Sequence, residues 1–221
     1  MSTGLTELVF ILDKSGSMAG LEADTIGGFN SMLEKQKMED GKCKITTVFF
    51  NHRVQLIHDR IDIKEVNPVT AKEYSVGGYT ALIDAIGETV KKMEDVQKST
   101  VKEYRADKVL FVIITDGHEN SSREYRVEDV KEKIEHHKEK DGWEFVFLGA
   151  NMDAIVAASR FGIGADRTYE YLSDRKGTEL NYQVVSDSVS EYRRSKASSP
   201  KLSEEHFKRI KDDVKKRKNL N

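Results

Sequence analysis

Short, unbroken apolar runs alternate along the chain with longer stretches in which apolar residues recur every three or four positions. Leu8–Leu12 (Leu-Val-Phe-Ile-Leu) is the first run, and it stops abruptly at Asp13. A run this rich in branched and aromatic side chains predicts a strand buried on both faces. Val109–Thr115 and Trp143–Leu148 predict two more such strands, and Thr168–Leu172 an edge strand. Cys43–Phe50 and Arg53–Ile63 read as a hairpin joined through Asn51-His52, which puts an antiparallel strand at the edge of the sheet. Helical spacing appears at Ile26, Phe29 and Leu33, and at Leu82, Ile83, Ile86, Val90 and Met93. It recurs at Val127, Val130 and Ile134, and at Leu180, Val184, Val189 and Tyr192, with a short helix over Ala154–Phe161 stopped by Gly162 and Gly164. Asp24 or Thr25, and Thr80, are the expected N-caps of the first two helices. The Gly27-Gly28 pair is expected to let the first helix pack closely against the sheet. Alternating strands and helices predict an α/β fold, a mainly parallel central sheet with one antiparallel edge strand and helices on both faces.

Composition sharpens this picture in three places. With 221 residues, 38% apolar and 33% charged, the chain has the size and makeup of one globular domain with a highly charged surface. The net charge is −2, but eleven Lys and Arg against four Asp and Glu from Arg193 onward give that end +7 and leave −9 on the remainder. Residues 1–194 are therefore read as the domain and 195–221 as a basic C-terminal extension, helical or partly disordered. In it Ser-Ser-Pro marks a linker, and Ser203, Glu205 and Phe207 open a weakly amphipathic helix. A solvated or frayed tail is expected there rather than a dedicated binding segment. Cys43 is the single cysteine, which excludes an internal disulfide and a cysteine-based zinc site. The opening Met-Ser-Thr-Gly-Leu-Thr-Glu lacks the basic and apolar regions of a signal peptide, and no apolar run approaches the roughly 18 residues of a membrane span. A cytoplasmic location is expected.

The candidate chemistry lies where the buried strands end, the edge at which open α/β sheets place ligands. The first strand is followed by Asp13-Lys-Ser15-Gly-Ser17, with Gly16 expected to turn the backbone so that both hydroxyls face the carboxylate. Gly77-Gly78 precedes Thr80, and Asp116-Gly117 follows another buried strand. A carboxylate and two hydroxyls on one loop make an all-oxygen site suited to a hard cation such as Mg2+ or Mn2+. Equally, the two serines could simply cap the next helix. Two buried strands that each end in an aspartate argue for the cation, because buried strands need no acid at their ends and close carboxylates repel unless a positive charge lies between them.

Asp13-x-Ser15-x-Ser17, then Thr80 after a double glycine, then Asp116-Gly117, resemble the von Willebrand factor A family over about Leu5–Tyr192. The resemblance implies a Rossmann-like fold and a metal-ion-dependent adhesion site. Ser15 and Ser17 would bind the metal directly, and Thr80 directly in one state and through water in another. Asp13 and Asp116 would hold metal-bound waters and orient the serines. Neutral hydroxyls leave the ion electrophilic, so an open position would take an Asp or Glu of a partner protein. The chain looks more like the stand-alone bacterial or phage members than the extracellular adhesion members. Intracellular members often work beside AAA-type ATPases or in stress-response systems. His118 and Glu119, beside the site, are expected to be solvated loop residues.

Enzymatic readings find less support. A haloacid-dehalogenase-like phosphotransferase needs a second acid two residues after Asp13, where Ser15 stands. There is no Gly-x-Ser-x-Gly elbow for a hydrolase and no Gly-x-x-x-x-Gly-Lys-Ser/Thr phosphate loop. Gly162-Ile-Gly164 follows a helix and is no dinucleotide fingerprint. Nucleic-acid binding through the basic tail lacks interleaved aromatics apart from Phe207. Metal-dependent protein binding, without catalysis, is the expectation.

Overall fold

The apolar runs lie side by side as six strands in the computed structural model, which describes residues 4–197 and 200–219. They are β1 (Leu5–Asp13), β2 (Lys42–Phe50), β3 (Val54–Asp62), β4 (Lys108–Thr115), β5 (Glu144–Gly149) and β6 (Thr168–Glu170). Their order is β3-β2-β1-β4-β5-β6, parallel throughout except for β3, which runs antiparallel to β2 at one edge. This is the α/β fold expected. Met1–Thr3 and the Ser198-Ser199 part of the expected linker lie outside the described residues.

Two apolar layers follow from the period of two along each strand. Leu8, Phe10 and Leu12, with Leu110, Val112 and Ile114, face the side covered by α1 (Glu22–Met38), α5 (Arg175–Arg194) and α6 (Glu205–Lys218). Val9, Ile11, Phe111 and Ile113 face α2 (Leu82–Ser99), α3 (Val127–Lys140) and α4 (Ala154–Ser159). Among the described residues no helix is long and apolar enough to cross a membrane.

Four local expectations are corrected. Asp24 and Thr25 do not cap α1. The helix starts at Glu22 with Leu21 at the N-cap, which puts both inside it. Thr80 is not the cap of α2 either, since that helix begins at Leu82 behind Ala81. The close approach at Gly28 is to a helix, not to the sheet. A β-carbon there would stand 2.5 Å from the ring of Tyr182 on α5, while Gly27 faces open space.

The fourth correction concerns the basic tail, which is neither solvated nor frayed over 205–218. Phe207 and Ile210 are buried, and the Phe207 ring stacks on Tyr169 at 4.2 Å and 7°. Lys211 lies 5.0 Å from the centre of the same Tyr169 ring, and Arg209 pairs with Asp187 of α5 at 2.7 Å. α6 starts near the beginnings of the strands, where the amide of Leu202 donates to Glu144. It ends at the opposite edge, where Lys218 pairs with Glu170 and Arg217 with Asp174.

Candidate metal centre

Three loops leave the C-terminal edge of the sheet beside one another because β1 lies between β2 and β4. The β1–α1 loop enters a 3₁₀ turn at Gly16–Met18, and neither serine caps it or α1: no side-chain cap bond forms at Ser15 or at Leu21. Ser15 is buried and Ser17 exposed, and their hydroxyls lie 3.1 Å apart. The Gly16 backbone turns without an unusual φ; its amide instead donates to the Gly78 carbonyl at 3.0 Å. Gly78 itself has φ +82, a conformation glycine adopts at little cost.

Thr80 is held by neighbours that sequence reasoning missed. Its amide donates to the side chain of Asn120 at 2.8 Å, and the Asn120 amide donates back to its carbonyl at 3.0 Å. Asn51, read only as a hairpin residue, donates to the Gly77 carbonyl at 2.7 Å and accepts from the Ala81 amide. With its own amide committed and α2 starting two residues later, Thr80 keeps its hydroxyl free for the site. That hydroxyl meets those of Ser15 and Ser17 over Gly117. A β-carbon at Gly117 would lie 2.9 Å from the Ser17 hydroxyl, 3.1 Å from that of Thr80 and 3.5 Å from that of Ser15.

Both carboxylates are buried beneath the hydroxyls. Asp13 accepts from the Ser15 amide at 2.7 Å and from the Thr115 hydroxyl at 2.6 Å. Burial raises its pKa to about 6, against the pull of those hydrogen bonds, and the Asp116 charge pushes the same way as burial. The Tyr74 hydroxyl donates to the Asp13 carbonyl, fixing the end of β1. Asp116 accepts from the Ser173 hydroxyl through Oδ2 at 3.0 Å, but its buried Oδ1 has no partner. An unpartnered buried carboxylate oxygen is costly in a folded protein.

The loop after Asp116 is also structured. His118 is exposed, as expected, but Glu119 is half-buried and takes the place of the missing cap of α2. Its carboxylate accepts from the Ile83 amide at 2.8 Å and from Ser121, Ser122 and the Ser122 hydroxyl. In return the Asp84 carboxylate, in the first turn of α2, accepts from the amides of Arg123, Glu124 and Tyr125.

Asp13, Ser15, Ser17, Thr80 and Asp116 thus meet at one edge. Three convergent hydroxyls and two buried carboxylates, one of them with an orphaned oxygen, form the oxygen-only donor set that a hard divalent ion requires. The residues present fit such an ion. The exposed Ser17 and the 70% exposed ring of Tyr79 leave the outer side of the cluster open.

The sequence profile of the von Willebrand factor type A domain matches residues 7–212. No curated protein matches the chain by sequence. Among solved structures, a von Willebrand factor type A protein from Catenulispora acidiphila superposes with a TM-score of 0.58 at 14% identity, over 83% of this chain and 42% of that one. An ArnB paralog from Sulfolobus acidocaldarius gives 0.52 at 15%, over 87% and 45%. Proximal thread matrix protein 1 of the mussel byssus, in a form with a zinc-occupied metal-ion-dependent adhesion site, gives 0.57 at 16%, over 85% and 46%. At these identities the likeness is one of fold, and the chain spans less than half the length of each.

Proposed function

The chain belongs to the von Willebrand factor type A domain family, and we propose that it is a binding module whose divalent metal, Mg2+ or Mn2+, receives an acidic side chain of a partner protein. The observation that carries this reading is the meeting of the Ser15, Ser17 and Thr80 hydroxyls over Gly117, beside the unpartnered Asp116 Oδ1. Ser15, Ser17 and Thr80 would hold the ion. Asp13 and Asp116 would balance its charge from below, Asp13 fixing the Ser15 backbone and Asp116 being steadied by Ser173. The bound ion would supply an electrophilic position for the partner's Asp or Glu. Tyr79 supplies an aromatic rim for the surface around that residue.

The role is one of adaptor and not of turnover. A cytoplasmic assembly, such as one built around an AAA-type ATPase or a stress-response complex, is the proposed setting. The zinc-occupied site of the mussel protein makes the choice of metal a matter for measurement.

The test is thermal unfolding of metal-stripped protein with and without millimolar Mg2+ or Mn2+. A ligand present at 100 times its dissociation constant adds about 2.7 kcal/mol to the folded state, which is roughly 5–10 °C for a domain of this size. The wild type is expected to shift, and Asp13→Ala and Ser17→Ala are not. Ser17 is exposed, so its loss leaves the fold intact. Equal shifts in all three proteins, or none in the wild type, would overturn the reading.

A further inference from the structure

A second cluster of ligand-type side chains lies at the other end of the molecule. α3 precedes β5 and runs against the strands, so its C-terminus reaches the edge where the strands begin, opposite the hydroxyl cluster. There His136, His137 and the C-capping Asp141 each offer a ligand atom, and all three atoms lie within 4.8 Å of one another. Neighbouring helical residues point about 100° apart, and the two histidines differ accordingly: His136 is exposed and His137 is 4% exposed. They still meet edge to face, with ring centres 5.3 Å apart. Asp141 closes the group because the helix ends there, with Gly142 turning away at φ +67.

We propose that His136, His137 and Asp141 form a second metal site, selective for a transition metal of the zinc or copper type. Two imidazoles and one carboxylate are borderline donors of the kind that bind Zn2+ and Cu2+, whereas the all-oxygen cluster across the sheet suits a hard cation. The site is partly preorganised. The His137 ring is clamped by stacking on Trp143 at 4.0 Å and 11°, and its Nδ1 lies 2.6 Å from Asp141 Oδ2. Trp143 in turn stacks on Phe111 of β4, which ties the cluster to the core. Lys138, which directly follows His137, is turned away, its ammonium donating to the Gly162 carbonyl at 2.7 Å. His136 and Asp141 are exposed and free to adjust by the small rotations that bring three ligands onto one ion.

Trp143 is the only tryptophan in the chain, so it reports on this site alone. The experiment is a Cu2+ titration of the untagged full chain, followed by tryptophan fluorescence with millimolar Mg2+ present throughout. A paramagnetic ion on an imidazole stacked against the indole quenches its emission on contact. Saturable quenching is expected, with emission restored when EDTA removes the ion, and Zn2+ added alone leaves the emission unquenched. In His136→Ala and in Asp141→Asn the half-quenching concentration is expected to rise by about tenfold or more, on the scale of ligand-shell losses. Both variants change exposed side chains and leave the His137–Trp143 stack in place, so near-ultraviolet circular dichroism should match the wild type. Quenching that never saturates, that is the same in either variant, or that EDTA does not reverse would overturn the site. The outcome is independent of metal binding at the hydroxyl cluster, which the Mg2+-dependent thermal shift reads separately.

Discussion

At Gly117 the missing side chain makes the space into which the three hydroxyls point. A methyl group there would stand within 3.1 Å of the hydroxyls of Ser17 and Thr80, while the backbone of Gly117 is not in the left-handed region that would itself require glycine. Gly117→Ala is therefore expected to abolish the metal-induced thermal shift while changing the stability of the metal-free protein by less than about 1 kcal/mol. Ser173→Ala tests the other face of the cluster. It leaves both oxygens of Asp116 without their protein partner and should cost about 1–2 kcal/mol in urea unfolding. The two substitutions also mark what was legible at this scale. Asp13, Ser15, Ser17, Thr80 and Asp116 stand out because polar residues directly follow apolar runs or a double glycine. Ser173, Asn51 and Asn120 do not, because each acts by a contact across 26 to 57 positions and is of a residue type common in any loop.

Elements were legible where burial alone defines them and illegible where one element completes another. The strands could be read because apolar side chains on both faces leave few alternatives. The start of α2 could not, since its cap is the Glu119 carboxylate, 36 residues away. Glu119→Ala removes the acceptor of four hydrogen bonds, one from the start of that helix and three from its own loop, and is expected to cost about 2 kcal/mol. Because Asn120 of the same loop holds Thr80, the variant should also weaken metal binding, read by the thermal shift. Further along α2, Glu94 accepts from Lys133 of α3 at 2.8 Å and from Lys98 at 2.6 Å. These ammonium groups lower its pKa to about 2 from an ordinary 4.5. The folded-state value is the lower one, so the stabilisation is complete above about pH 4.5 and is lost as the pH falls toward 2. Partial exposure limits the effect to about 1 kcal/mol. Glu94→Gln should lower stability at pH 7 by that amount and bring the two proteins together near pH 2, in paired urea titrations.

For the whole molecule, the least legible feature is the docking of α6. Its basic face dominates its composition, and its buried anchors are only Phe207 and Ile210, with Leu202 just before the helix. Those few side chains make the last helix part of the same core as β6 and α5. Phe207→Ala, which empties the stack against Tyr169, should cost about 3–4 kcal/mol, measured by urea unfolding at neutral pH. The course of α6 also decides how the molecule can be handled. Residue 4 leaves from the edge where the strands begin. Residue 219 sits next to the Glu170 and Asp174 pairs, on the side of the hydroxyl cluster. Anchored to a sensor surface or bead through its first residues, the protein would turn its Ser17 and Tyr79 face outward to anything in solution. Anchored through its last residues it would lie with that face toward the support, so a capture assay built on a C-terminal handle would hide the surface it was meant to sample.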